Sequence, residues 1–293
     1  MRLVKLSVIC LIMFATAVLT GFSSQDPPRK GMWLWQSNLI TTEPDQILSF
    51  AKDNGVDLLY LGIDTTIKAS YYQPFIKRAR AAGIEIEALG GKTSWALTDN
   101  RNKILDLVDW VIKYNQSVTN AETIGGIHLD IEPYTLAAWK TDQQTDMIKQ
   151  WMGNVEAYVD YIRKNSVLTV NCDIPFWLDK TSIPSDPNTS ISKWLISKHD
   201  SVTVMAYRDR ADGPNSISSL VPRVMTVADS LGKKVLIGVE TKVSNEGDFV
   251  TFYEEGNAYM NSELNKLPGL MSSYASYHGV AVHSYEYWKI LKP

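Results

Sequence analysis

Cysteine is scarce in this chain of 293 residues: there are two, Cys10 and Cys172. Cys10 falls in an N-terminal segment that reads as removable, and Cys172 alone cannot form an internal disulfide. Runs of lysine or arginine are also missing, and the formal charge is only -3. Without a basic stripe to track a phosphate backbone, nucleic acid is excluded as a partner. Beyond the first two dozen residues no apolar run approaches the ~18 needed to cross a bilayer. Histidine is limited to four residues, and neither H-E-x-x-H nor an H-x-H pair on the first strand is present. A Gly-rich phosphate turn is absent after the first strand, where the chain reads "WLWQSNL". That argues against an open dinucleotide-binding sheet.

What is present begins with "MRLVKLSVICLIMFATAVLTGFSS": Arg2 and Lys5, an apolar run from Leu6 to Leu19, then small residues. This is the pattern of a signal peptide over residues 1–24. Export, as a secreted or periplasmic protein, is therefore expected, with no stable membrane insertion after cleavage. "LTGF" resembles a lipoprotein cleavage box with Phe22 in place of the lipidated cysteine, so no lipid attachment is expected. Residues 25–29 read as a linker, and residues 30–293 as one domain. Aromatic residues are weighted toward rings with a polar handle, nine Trp and fourteen Tyr against seven Phe.

Short apolar runs alternate with longer amphipathic ones, eight times over. The predicted strands are "GMWLWQS", "VDLLYLGID", "IEIEALGG", "IGGIHLDIE", "VLTVNCDIP", "SVTVMAYRD", "KVLIGVETK" and "GVAVHSYEY". Helical patterns such as "EPDQILSFAKDNG" and "SLVPRVMTVADSLG" lie between them. Gly55, Gly83 and Gly232 stand where such helices should stop. Eight strand–helix units in about 250 residues imply an α/β protein with a single (β/α)8 TIM barrel. In that fold the active site lies at the C-terminal ends of the strands. Polar residues gather there: Asp64, Gly90 and Gly91, Glu132, Asp173, Tyr207, Glu240 and the segment from His283 to Tyr287.

The fourth strand, "GGIHLDIEPY", carries an imidazole and two carboxyls at alternate positions. Alternate strand residues share a face, so His128, Asp130 and Glu132 all turn inward, with Ile127, Leu129 and Ile131 outward. Two nearby carboxyls repel, which raises one pKa and keeps a proton available for a departing glycosidic oxygen. The plainer reading of the same residues is a hydrogen-bonded polar plug.

"GGIHLDIEPY" resembles the fourth-strand signature D-x-x-D-x-D-x-E of the family 18 glycoside hydrolases, the chitinases and endo-β-N-acetylglucosaminidases. His128 and Gly125 replace two of its aspartates. "EALGG" resembles the family's third-strand S-x-G-G with Ala88 for Ser. "VMAYRD" resembles the sixth-strand M-x-Y-D with Arg208 for Asp, and the eighth strand has His283 where a sugar-stacking Trp usually sits. The resemblance implies Glu132 as proton donor and general acid/base, Asp130 as the carboxylate that orients the substrate's acetamido group, and Tyr207 as partner of that group. It implies no cofactor.

The residues also allow other readings. Glu240, ending the seventh strand, could serve as a nucleophile opposite Glu132, or as a rim residue paired with Lys242 or Arg208. His128, Asp130 and Glu132, with His283, could hold Zn or Mn in a metal-dependent hydrolase. Trp35, Trp95, Trp177 and Trp288 fall at or beyond strand ends, where indole faces could stack on sugars. Asp64, Asp173, His128, Arg208 and His283 complete the expected substrate-binding set. The expected function is hydrolysis of glycosidic bonds in an oligosaccharide or polysaccharide by a monomer. A barrel that binds carbohydrate without turnover is the alternative from a different class. No extra subdomain is expected after strand seven, where the connection is short, and the cleft should be correspondingly shallow.

Overall fold

A run such as Leu58–Gly62, buried at every residue, is satisfied only in a sheet covered on both faces. The computed structural model, which describes residues 27–293, supplies that cover. The predicted signal peptide and Cys10 lie outside the described residues. Eight parallel strands close into a barrel, each hydrogen-bonded to its sequence neighbours. They are β1 (Arg29–Leu34), β2 (Leu58–Gly62), β3 (Glu85–Gly90), β4 (Gly126–Leu129), β5 (Thr169–Pro175), β6 (Ser201–Met205), β7 (Lys234–Glu240) and β8 (Tyr277–His283). The closing pair is β1 with β8, Met32 opposite Val282. All eight predicted strands are found, and the fold is the single TIM barrel expected.

Helices α1 (Pro44–Asp53), α2 (Ala69–Ala81), α3 (Arg101–Ser117), α4 (Gln144–Asn165), α5 (Ile191–Lys198), α6 (Pro222–Leu231) and α7 (Asn257–Leu264) surround the sheet. Their buried stripes meet the outward strand residues in one continuous apolar layer that includes Ile127, Leu129 and Ile131. A second, smaller apolar cluster fills the barrel itself: Trp33, Leu58, Tyr60, Leu89, Leu236 and Ala281. Gly232 caps α6 in the left-handed conformation at φ 62°, a backbone state that costs glycine nothing. Among the described residues no helix is long and apolar enough to cross a membrane.

Three details depart from expectation. The barrel starts at Arg29, inside the stretch read as linker: its backbone pairs with Gly279 and its guanidinium meets Glu85 and Asp57 under the barrel floor. A short antiparallel hairpin, Ser182–Ile183 with Asp186–Ser190, is inserted between β5 and α5. The eighth strand stops at His283 and turns directly into the short helix α8 (Tyr285–Trp288).

At the mouth, the backbones of β3 and β4 come unusually close. A Cβ on Gly91 would sit 1.8 Å from the Asp130 carbonyl oxygen, so only glycine lets the chain leave β3 there. Gly91→Ala is expected to cost about 1–3 kcal/mol by forcing the two segments apart. A shift of the urea midpoint in that direction, read by circular dichroism, checks it.

Candidate active site

The interior of the barrel is polar from below. Glu87 of β3, His128 of β4 and Asp173 of β5 form a buried row. His128 donates from Nδ1 to Glu87 Oε2 at 3.1 Å and from Nε2 to Asp173 Oδ1 at 2.8 Å. Both ring nitrogens can donate only if the imidazole is protonated. Burial alone would discharge the ring, but the Asp173 and Glu87 carboxylates overcome it and lift the His128 pKa to about 10. The charged ring lies against Tyr60, centroids 3.8 Å apart at 25°. Asn171 donates to Glu87 Oε1, and the Trp33 indole N–H to Asp173 Oδ2. This row is the polar plug that the sequence also allowed, and it corrects two expectations. His128 and Asp173 do not bind substrate, because both are buried and their polar atoms are spent on each other and on neighbours. Nor can His128 ligate a metal: both of its nitrogens carry protons directed at carboxylates.

One layer higher the inward face of β4 continues as Asp130 and Glu132, while Ile131 between them joins the outer core. The Asp130 amide still completes the ladder by donating to the Gly90 carbonyl. Its side-chain Oδ1 is buried and has no protein partner. Burial, then the nearby charges of Asp173 and Glu132, push the Asp130 pKa well above the usual carboxylate range, against a smaller pull from His128. Glu132 is half-buried and also titrates above its ordinary value, chiefly through burial. The Tyr134 hydroxyl donates to Glu132 Oε1 at 2.5 Å and opposes that shift. Tyr134 in turn packs edge-on against Trp177, centroids 4.9 Å apart. The Tyr207 ring lies 6.3 Å from that of His283, tilted by 34°, and burial with the charges of Glu240, Asp173, Asp130 and Glu132 pushes its pKa well up.

The Tyr134 contact has a measurable consequence. Its hydroxyl stabilises the Glu132 anion, so Tyr134→Phe should raise the Glu132 pKa further. A general acid works only while protonated. The alkaline limb of the kcat/KM profile is therefore expected to move to higher pH in the variant, and a limb that stays put or moves down contradicts this role.

On the opposite wall, Trp35, His283 and Glu240 form a second chain. The Trp35 indole N–H donates to His283 Nε2 at 3.0 Å, and His283 Nδ1 donates to both Glu240 oxygens at 3.1 and 3.0 Å. An indole can only donate, so Nε2 accepts and the proton sits on Nδ1 in this arrangement; burial works against charging the ring, but Glu240 outweighs it and raises the His283 pKa. Glu240 Oε1 also accepts the backbone amides of Thr241 and Lys242. Glu240 thus anchors His283 rather than pairing with the Lys242 side chain or Arg208.

A cavity of about 640 Å³ opens above β1 to β3, with Trp35, Asp64, Gly91, Lys92, Trp95 and Lys103 on its walls. Two further hollows lie away from the carboxyls. One of about 610 Å³ is at the opposite barrel end beside Gly125 and Leu168, and one of about 520 Å³ is on the flank between α5 and α6. The mouth cavity adjoins the carboxyl layer without being lined by it: its wall includes Gly91, which packs against the Asp130 backbone, and Trp35, which donates to His283. Asp64 is exposed there, its carboxylate accepting from Thr66. Arg208 sits over β6, between the Phe176 and Phe249 rings.

Trp288 is a correction. It lies on α8, is 2% exposed, donates to Asn257 and packs on Phe50, so it belongs to the core and not to a sugar platform. Residues that the sequence reading passed over are Glu87, Tyr60 and Tyr134. Glu87 and Tyr60 sit on the inward parity of their strands beside His128, a signal open to anyone pairing a buried histidine with neighbouring strands. Tyr134 follows a strand end inside a tight turn (Pro133–Thr135), where strand periodicity no longer predicts direction.

No protein-family model matches the sequence, and no curated protein matches it. Solved structures do. The chain shares its fold with chitinases. A chitinase from Chromobacterium violaceum superposes with TM-score 0.52 at 10% identity, over 90% of this chain and 97% of that one. A GH18 chitinase from Pseudoalteromonas aurantia gives 0.51 at 12% identity, over 88% and 94%. The PgaB (BpsB) glycoside hydrolase domain from Bordetella bronchiseptica gives 0.52 at 11%, over 87% and 94%. At such identities the likeness is one of fold, and any chemistry has to be argued from the residues present.

Proposed function

We propose that the protein is an exported glycoside hydrolase acting on an oligosaccharide or polysaccharide, with Glu132 as general acid/base. The observation that carries the reading is the Asp130–Glu132 pair on the inner face at the open end of the barrel, both titrating above the ordinary carboxylate range. A carboxyl whose pKa is raised keeps its proton to higher pH and can pass it to a glycosidic oxygen as the bond to the anomeric carbon breaks. Glu132, now ionised, then takes a proton from the water that completes hydrolysis, which restores it. Asp130, directly beneath Glu132 on the same strand face, holds a buried unpartnered oxygen and would act on the reacting sugar from below, with Tyr207 on the neighbouring wall. Trp35, Trp95 and Trp177 supply partly exposed rings around the opening for stacking on sugar faces.

The engagement of Glu240 by His283 and two backbone amides favours attack by a substrate group, such as an acetamido oxygen, or by water over attack by Glu240. No cofactor enters these steps. Assay against N-acetylated and non-acetylated glycans, by release of reducing ends, tests the proposal. A second reading, a barrel that binds carbohydrate without turnover, draws support from the imidazolium at His128, which stands where the resemblance calls for a carboxylate. Sugar affinity without turnover by the wild type would select it.

A further inference from the structure

The mouth carries one cation whose setting the hydrolysis scheme does not use. Arg208 follows Tyr207 at the end of β6 and is half-buried. Its guanidinium lies 5.3 Å from the Phe176 ring centroid and 5.2 Å from that of Phe249. Nη1 donates to the Tyr207 carbonyl at 2.6 Å, and Nε to Asn215 Oδ1 at 3.0 Å. A guanidinium has five N–H donors in a planar fork. Two are therefore taken by neutral acceptors, and the edge bearing Nη2 has no partner among the described residues. None of the ion pairs among the described residues includes Arg208. Asp209 and Glu246 favour its charge from beyond ion-pair distance, so the cation is partly compensated while its outer donors stay open.

The clamp also makes the charge directional. Two rings hold the plane, and the backbone of Tyr207 holds one edge, so the side chain cannot swing to a distant acid. Phe176 follows the last residue of β5, and Phe249 lies on the β7–α7 connection, so both rings stand above strand ends, on the substrate side. Glu246 acts electrostatically on both Arg208 and Glu132. Lys92 and Lys103 also face the mouth, on the β1–β3 side with Asp64 and Asp106, but a lysine ammonium lacks the planar fork of the guanidinium.

We propose that Arg208 selects a glycan carrying a carboxylate, which seats against the open guanidinium edge while Glu132 acts on a neighbouring linkage. This rests on the reading of the mouth as a carbohydrate site. A carboxylate matches the planar fork with two parallel hydrogen bonds, whereas a hydroxyl matches one donor at a time. Two sources share that chemistry: a uronic acid, with the carboxylate on the sugar ring, and N-acetylmuramic acid, with it on a lactyl ether.

The test is calorimetric binding to the Glu132→Gln protein. The probes are oligouronides and N-acetylmuramic acid-containing glycan fragments, each beside its carboxyl-reduced counterpart, at low and high salt. The expected result is at least about tenfold tighter binding of one carboxylated probe than of its reduced form, the size of one charge-assisted pair. The difference should shrink with salt, and the probe that shows it identifies the source. Adding Arg208→Gln should bring the ratio to near one, and Arg208→Lys, which keeps charge without the fork, should leave it between the two. Equal binding of carboxylated and reduced probes, or a preference that survives Arg208→Gln, overturns the proposal. Hydrolysis confined to neutral glycans would sink it and leave the hydrolase reading intact. Carboxylate preference lost with Arg208, in a wild type that cleaves nothing, would support it while ending the hydrolase reading.

Discussion

Glu132→Gln is expected to lower kcat by roughly 10²–10⁴-fold, the usual worth of a positioned general acid, with little change in sugar affinity or in the melting curve. The amide keeps the shape of the carboxyl and can still meet the Tyr134 hydroxyl, but it has no proton to give. Glu132 is half-buried rather than sealed in, so exchanging it disturbs no dense packing. The two effects separate cleanly. A barrel that merely binds sugars would lose nothing measurable, since it has no turnover to lose, and a structural Glu132 would show itself as a lowered melting temperature. The informative measurement is therefore kcat and Kd together, on whichever glycan the wild type cleaves. A variant retaining more than about a tenth of the wild-type kcat would remove Glu132 from the role of proton donor.

The fold was legible because barrel strands are buried on both faces and announce themselves as continuous apolar runs between amphipathic segments. Gly55, Gly83 and Gly232 confirm the punctuation, each with a positive φ. Alternation along β4 likewise placed Ile127, Leu129 and Ile131 outward and their neighbours inward. Parity along one strand is local, and a sequence carries it faithfully. Depth and pairing are not local. That His128 lies in a closed row with Glu87 and Asp173, while Asp130 two residues on does not, depends on register between three strands: Leu89 is level with His128, and His128 with Asn171. Those registers follow from barrel closure and have no signature in any single segment.

Trp288 and His283 show the same limit. Trp288 reads as lying beyond a strand end, but β8 turns into a helix at Tyr285 and carries the indole beneath α1, against Phe50. His283 was read as a substrate contact, and the structure adds what sequence could not: its ring is held from both sides by residues 248 and 43 positions away.

His128→Leu is expected to destabilise the protein by about 3–5 kcal/mol near neutral pH, because it strands two buried carboxylates that share one cation. The cost should appear as a lowered urea midpoint. Acidifying the solution supplies protons to the stranded carboxylates and should recover part of the loss. The wild type should show the complementary dependence. His128 has a folded-state pKa raised to about 10 from 6.5, so the protonated ring contributes its full stabilisation below about pH 6.5 and loses it as pH rises toward 10. Wild-type stability should therefore fall across that alkaline window, and the His128→Leu protein should lack that component of the slope. Glu87→Gln and Asp173→Asn added to His128→Leu remove the stranded charges and should restore stability relative to the single variant, as replacing a whole buried ion cluster commonly does. If the single substitution were neutral, the ring would not be the charged keystone of the plug. Asp130 would then stand above an uncharged floor, and the electrostatic separation between the plug and the proton-holding layer above it would have to be abandoned.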